Sequence, residues 1–147
     1  MSFHSISYDF PCIAFDFCTD QRMTFHSYAE LEFYIKNQLK SRDVDVVKDG
    51  LSNVLYWGYA TSKGRQGHRV KAFREQVTTE QLNSFAELVL KDKIGIAEIK
   101  KCLLPQFSNL SFITKILMFL DPERYVVMDL QLAKIKEYFP ESFFKQL

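Results

Sequence analysis

Ten residues in the C-terminal half, Ser111 to Leu120, read SFITKILMFL, and a segment so apolar must lie inside the folded protein. Leu104-Pro105 and a short polar turn at Ser108-Asn109 close the chain down before this run, and Asp121-Pro122 breaks it afterwards. The spacing predicts one buried helix between two stops. Beyond the break, a β-rich YVVM (Tyr125 to Met128) leads to a single acid, Asp129, at the mouth of another helix, Leu130 to Phe139. One carboxylate presented at a helix start can do chemistry. It is also what an ordinary N-cap looks like.

A buried helix needs neighbours, and the rest of the chain supplies them. At 147 residues the length is that of one domain with a proper core. Ile13 to Phe17 and Arg22 to Ser27 are β-prone runs around the polar turn Cys18-Thr19-Asp20-Gln21, so residues 1–26 predict a small hairpin. Ser27 and Glu30 form a capping box, and Leu31, Tyr34, Ile35 and Leu39 follow at helical spacing. A second helix is expected after Asp45 and up to Tyr59, with Val47, Leu51, Val54 and Leu55 inward and Gly50 as a close-packing point. Thr78 or Thr79 caps another, with Leu82, Phe85, Ala86, Val89 and Leu90 on its apolar face. Ile94 to Leu104 predicts a shorter helix with Ile96, Ile99 and Leu103 inside, and Glu141 to Leu147 a last one after Pro140. The expected fold is mainly α: one compact domain over 1–147, about seven helices, and an N-terminal β-hairpin.

Several function classes fall away on composition and motif. A net charge of +1 gives no global field for nucleic acid or membrane. No run approaches the length of a membrane span, and no leader-like start is present. Three cysteines (Cys12, Cys18, Cys102) make no disulfide framework, so reduced thiols and a cytoplasmic location are expected. The histidines His4, His26 and His68 are scattered, and no phosphate-binding glycine loop, zinc helix or serine elbow occurs. Neither a cofactor nor a metal is expected. The aromatic share is high at 15%, with 14 Phe and 7 Tyr, which implies a thick core or an aromatic-lined groove.

One dense basic patch stands out. Lys63, Arg65, His68, Arg69, Lys71 and Arg74 fall within ATSKGRQGHRVKAFREQ. Its first part, Ser62 to Gly67, reads as a flexible loop with two glycines, and its second part as a helix through Val70 and Phe73. Glycines beside cations leave backbone N–H groups open to a phosphate. Without such a ligand, the same cluster is simply a solvated helix start.

From Leu104 to Ile135 the pattern resembles the helix-hairpin-helix DNA glycosylases, over a core of roughly Asp45 to Tyr138. Leu104-Pro105 is similar to the family's leucine-proline lead-in to its hairpin, and Ser111 to Leu120 to the helix that follows. Met128-Asp129-Leu130-Gln131-Leu132-Ala133-Lys134-Ile135 matches the spacing of the motif V-D-T-H-V-x-R-V. The resemblance implies a DNA-binding protein that excises a base by monofunctional hydrolysis, with Asp129 catalytic. Lys134, Ser108, Asn109 and the basic patch would hold DNA, and Tyr56, Trp57 and Tyr59 would line a base pocket. The match departs at the hairpin, where Gln106-Phe107-Ser108-Asn109 has no glycine; Asn tolerates the left-handed conformation and could keep the turn. The family's lysine nucleophile falls near Leu110 or Ser111, with Lys115 a turn further on, so lyase chemistry is not implied. On the residues alone, Asp129 as a helix cap, the aromatic trio as core, and a non-catalytic DNA-binding or protein-interaction module stay open, with a protein partner or a homo-oligomer.

Overall fold

A computed structural model describes residues 11–122. Asp129, Lys134, the YVVM segment and the two predicted C-terminal helices lie outside the described residues.

The described residues begin with an antiparallel hairpin, β1 (Ile13–Asp16) and β2 (Gln21–Thr24), in the register Ile13 to Thr24 and Asp16 to Gln21. Six helices follow among the described residues: α1 (Tyr28–Leu39), α2 (Val44–Gly58), α3 (Lys63–Gln76), α4 (Thr79–Leu90), α5 (Ile96–Lys101) and α6 (Leu110–Leu120). The predicted mainly helical architecture with a small hairpin is what forms.

Two helices make the centre. In α6 every residue from Phe112 to Leu120 is buried, as its composition requires. In α2 the run Leu51 to Trp57 is buried all round, more than the single face its spacing predicts. The reason is that α2 touches β1, α1, α3, α4 and α6 and so has almost no solvent side. Trp57 meets Phe119 edge-on, with ring centroids 5.1 Å apart. Glycine sets two of these contacts. A Cβ on Gly50 would sit 2.9 Å from Gln38 Cβ and 3.0 Å from the Leu39 nitrogen, so α1 and α2 cross backbone to backbone there. A Cβ on Gly58 would run into the Phe112 ring, which fixes the approach of α6.

Caps explain most boundaries. Ser27 Oγ accepts from the Glu30 amide, and the Glu30 carboxylate reaches back to the His26 amide. Asp43, rather than Asp45, caps α2 by accepting from the Asp45 amide at 2.9 Å. Thr78 and Gln81 bond reciprocally in a full capping box on α4. Asn109 caps α6 by accepting from the Phe112 amide.

Three expectations are overturned. The predicted loop Ser62 to Gly67 is helical from Lys63 onward, because the Gln66 amide side chain donates to the Tyr56 carbonyl at 2.7 Å and ties the first turns to α2. Leu103 is not core: α5 ends at Lys101, Leu103 takes a left-handed φ of 55° and points to solvent, and Leu104 and Phe107 are buried in its place. Leu90 is also exposed, at the end of α4.

Candidate functional site

The β1 backbone is pinned to α2 by the Asn53 side chain. Phe15 stands opposite Arg22 in the register, and its amide and carbonyl both face Asn53 on α2. Asn53 Oδ1 accepts from the Phe15 amide at 2.7 Å, and Nδ2 donates to the Phe15 carbonyl at 3.2 Å and to Gln38 Oε1 at 3.0 Å. At the hairpin tip, Asp16 accepts from the Cys18 and Thr19 amides, while Asp20 takes a φ of 58°. The donors at Cys18 and Thr19 hold the Asp16 carboxyl below the usual carboxylate range. These bonds place Phe15 and Phe17 over α2 and beside α3.

A cleft of about 370 Å³ opens between hairpin, α2 and α3. That lies within the roughly 300–1,000 Å³ of ordinary ligand pockets. Its apolar lining is Phe15, Phe17, Tyr56 and Val70. Asp20, Lys71, Arg74 and Glu75 supply the charge, and Gly67 leaves a gap on the α3 side. The rings of Phe17 and Tyr56 lie 5.1 and 5.3 Å from that of Phe15. Arg22 donates from Nε to the Tyr56 hydroxyl at 2.8 Å.

Arg74 is the best-held cation. Its Nη1 donates to Asp49 Oδ1 and Ser52 Oγ, each at 2.9 Å, and its guanidinium lies 4.0 Å from the Phe17 ring centroid. Its charge is therefore offset within the protein, and its planar group forms part of the cleft wall. Lys71 makes only a loose contact of 3.9 Å to Glu75, with both side chains mostly in water. Pairs of that kind contribute little.

The predicted site residues are not all gathered here. Tyr56, Lys71 and Arg74 share the cleft. Arg65 and His68 are exposed on α3, and Lys63 opens that helix. Arg69 turns to the other flank and donates to Gln106 Oε1 at 3.1 Å in the α5–α6 turn. Ser108 and Asn109 lie exposed in the same turn. The aromatic trio diverges: Trp57 is fully buried, and Tyr59 stacks on Phe112 with centroids 4.5 Å apart, away from Tyr56. The left-handed residues between α5 and α6 are Leu103 (φ 55°) and Gln106 (φ 68°), not Asn109. Lys115 is buried in α6, donating to Ser111 Oγ at 2.8 Å.

Sequence reasoning missed Phe15 and Phe17. Their alternation on a predicted strand already placed both rings on one face. A larger, more open groove of about 800 Å³ runs along α1 past Phe25, Phe33 and Tyr34. Its one ionisable acid or base beside Tyr34 is Glu30, already bonded to the His26 amide, so chemistry is richer in the smaller cleft. Among the described residues no group of acids, histidines and cysteines could hold a metal, and no helix is long and apolar enough to cross a membrane. Compared with protein families, curated proteins and solved structures, the chain matches none.

Proposed function

We propose that this protein binds DNA, tracking phosphates along α3 and taking one base out of the stack into the neighbouring cleft. The observation that carries this reading is the junction itself. α3 holds five permanent cations, Lys63, Arg65, Arg69, Lys71 and Arg74, against the single carboxylate of Glu75. The side of α3 that bears Gly67, Lys71 and Arg74 opens directly into the cleft lined by Phe15, Phe17 and Tyr56. Cations for a backbone beside rings for a base is how single-stranded nucleic acid is held without sequence readout.

On the resemblance to the glycosylases the chemistry is base excision. Asp129 would stabilise positive charge developing on the sugar while water adds at C1′, the N-glycosidic bond breaks and the base leaves with a proton. The test is binding to a labelled duplex carrying an abasic-site analogue against an undamaged duplex, at two salt concentrations. Preference for the analogue, weakened by salt, is expected. Phe17→Ala should weaken it about tenfold, the scale of one lost base stack. Asp129→Asn should keep binding and lose base release. No binding to either duplex at low salt overturns the DNA reading; binding with no base release from any damaged duplex leaves a non-catalytic DNA-binding module.

A protein-interaction role is the second reading, favoured by Phe33, which is 67% exposed beside the apolar groove on α1. Sedimentation of wild type against Phe33→Glu checks for self-association through that face.

A further inference from the structure

The face of α1 that borders the larger groove carries its own complement. We infer that two copies of this chain pair through α1, antiparallel about a two-fold axis between Phe33 and Asn37; this rests on the protein-interaction reading above.

Glu30, Phe33, Asn37 and Lys40 follow at steps of three, four and three, which puts all four on one stripe of the helix. All four are exposed, Phe33 at 67%. Phe33 is not an isolated ring in water. It borders the groove of about 800 Å³, whose apolar wall continues through Phe25, Tyr34 and Val46. The rings of Phe25 and Tyr34 lie 5.3 Å apart, so the wall is continuous beside the exposed ring. An apolar surface of that kind marks an interaction site. The ring is a knob and the groove a hole for it, and a two-fold axis seats both knobs in both holes.

Charge decides the occupant and its direction. Glu30 stands one turn before Phe33, and Lys40 two turns after it. Lys40 is in no ion pair among the described residues. Glu30 uses Oε2 on the His26 amide, and a carboxylate so engaged still accepts from a cation through its second oxygen. A copy laid antiparallel and centred between Phe33 and Asn37 sets each Glu30 opposite the partner's Lys40, because positions 30 and 40 are equally far from the centre. The short Asn37 side chain then faces the partner's Phe33 and leaves room for the ring. A parallel copy would set acid against acid and cation against cation. A protein of other sequence would have to bring this pattern; a second copy of the chain has it already. The groove and the cleft share no lining residue, so pairing through α1 does not use the residues of the cleft.

The test is sedimentation equilibrium of the full chain over a series of concentrations. Wild type should dimerise and Phe33→Glu should stay monomeric. Lys40→Glu sets two carboxylates together at both ends of the pair, and Glu30→Lys sets two ammonium groups together there. Each variant alone should dimerise roughly tenfold more weakly. An equimolar mixture of the two restores opposite charges at both ends when the helices run antiparallel, so the mixed dimer should recover wild-type affinity. Circular dichroism checks that Glu30→Lys keeps its helices, since it gives up the bond to the His26 amide. Lys40→Glu leaves that bond in place and supplies a second readout: added salt should tighten its dimer and loosen that of wild type. A dimer lost in Phe33→Glu but indifferent to both charge changes and to salt overturns the antiparallel pairing and leaves α1 an interaction face. A dimer that survives Phe33→Glu, or a wild type that is monomeric throughout, overturns the pairing and removes Phe33 as support for the interaction reading. The DNA reading stands apart from every one of these outcomes.

Discussion

Asn53 is the residue on which the hairpin depends. It is fully buried, and its amide satisfies both the amide and the carbonyl of Phe15 and touches Gln38 besides. Replacing it with Leu keeps the volume and leaves those backbone groups without partners. Each orphaned buried group costs about 1–3 kcal/mol, so Asn53→Leu should lower stability by about 3 kcal/mol in denaturant unfolding. Asp16 acts in the same part of the fold through its charge. Its carboxyl is held low in the folded hairpin by the amides it bonds. The ionised form therefore favours the native turn above the ordinary aspartate range, and that contribution disappears as pH falls through the lowered folded value. In an NMR titration the Cys18 and Thr19 amides should shift together with the Asp16 carboxyl. Titration of Asp16 at or above the ordinary value would contradict this account of the turn.

At the scale of elements, the helices were legible because their apolar spacing and caps agreed. The Ser27 cap, the Thr78 box and the Leu-Pro and Asp-Pro stops all stood in the chain as local signals, although Glu30 bonds the His26 amide instead of completing a box at Ser27. The first turns of α3 were not legible, since every local signal argues against them: Ser62 makes no side-chain cap, no acid sits in the first turn, and Gly64 and Gly67 lie inside. A bond from Gln66 to the Tyr56 carbonyl decides the matter, and nothing in the spacing announces it. Leu103 failed for a similar reason: its carbonyl is fixed by the Gln81 side chain, 22 residues away in sequence, in a turn that burial of Leu104 and Phe107 imposes. The glycines sort by the same logic. Gly64→Ala and Gly67→Ala meet open space and should each raise stability by about 1 kcal/mol, the difference in helix propensity. Gly50→Ala presses on the α1 backbone and should destabilise despite the same gain in propensity. Thermal unfolding of the three variants checks the split, and a Gly50→Ala protein as stable as wild type would remove close packing as the explanation.

At the scale of the whole molecule, the candidate site belongs to no single segment. Its rings come from the hairpin and α2, its cations from α3, and the parts are tied together by Asn53 to Phe15 and Arg74 to Asp49, pairs 38 and 25 residues apart. The basic patch could be read from the sequence as composition, but the division of its cations could not. Arg74 turning inward, Arg69 to the α5–α6 turn and Lys71 outward follow from helical phase once α3 is seated on α2. The Asn53 amide has a further consequence for the molecule in a crowded solution. A two-stranded ribbon ordinarily offers an open edge on which another chain can add as a strand, the usual first step of sheet aggregation. At Phe15 that edge is already occupied, because an amide side chain imitates the backbone of a neighbouring strand. One asparagine thus blocks the β1 edge of a short ribbon at Phe15, on the strand that carries a ring of the cleft.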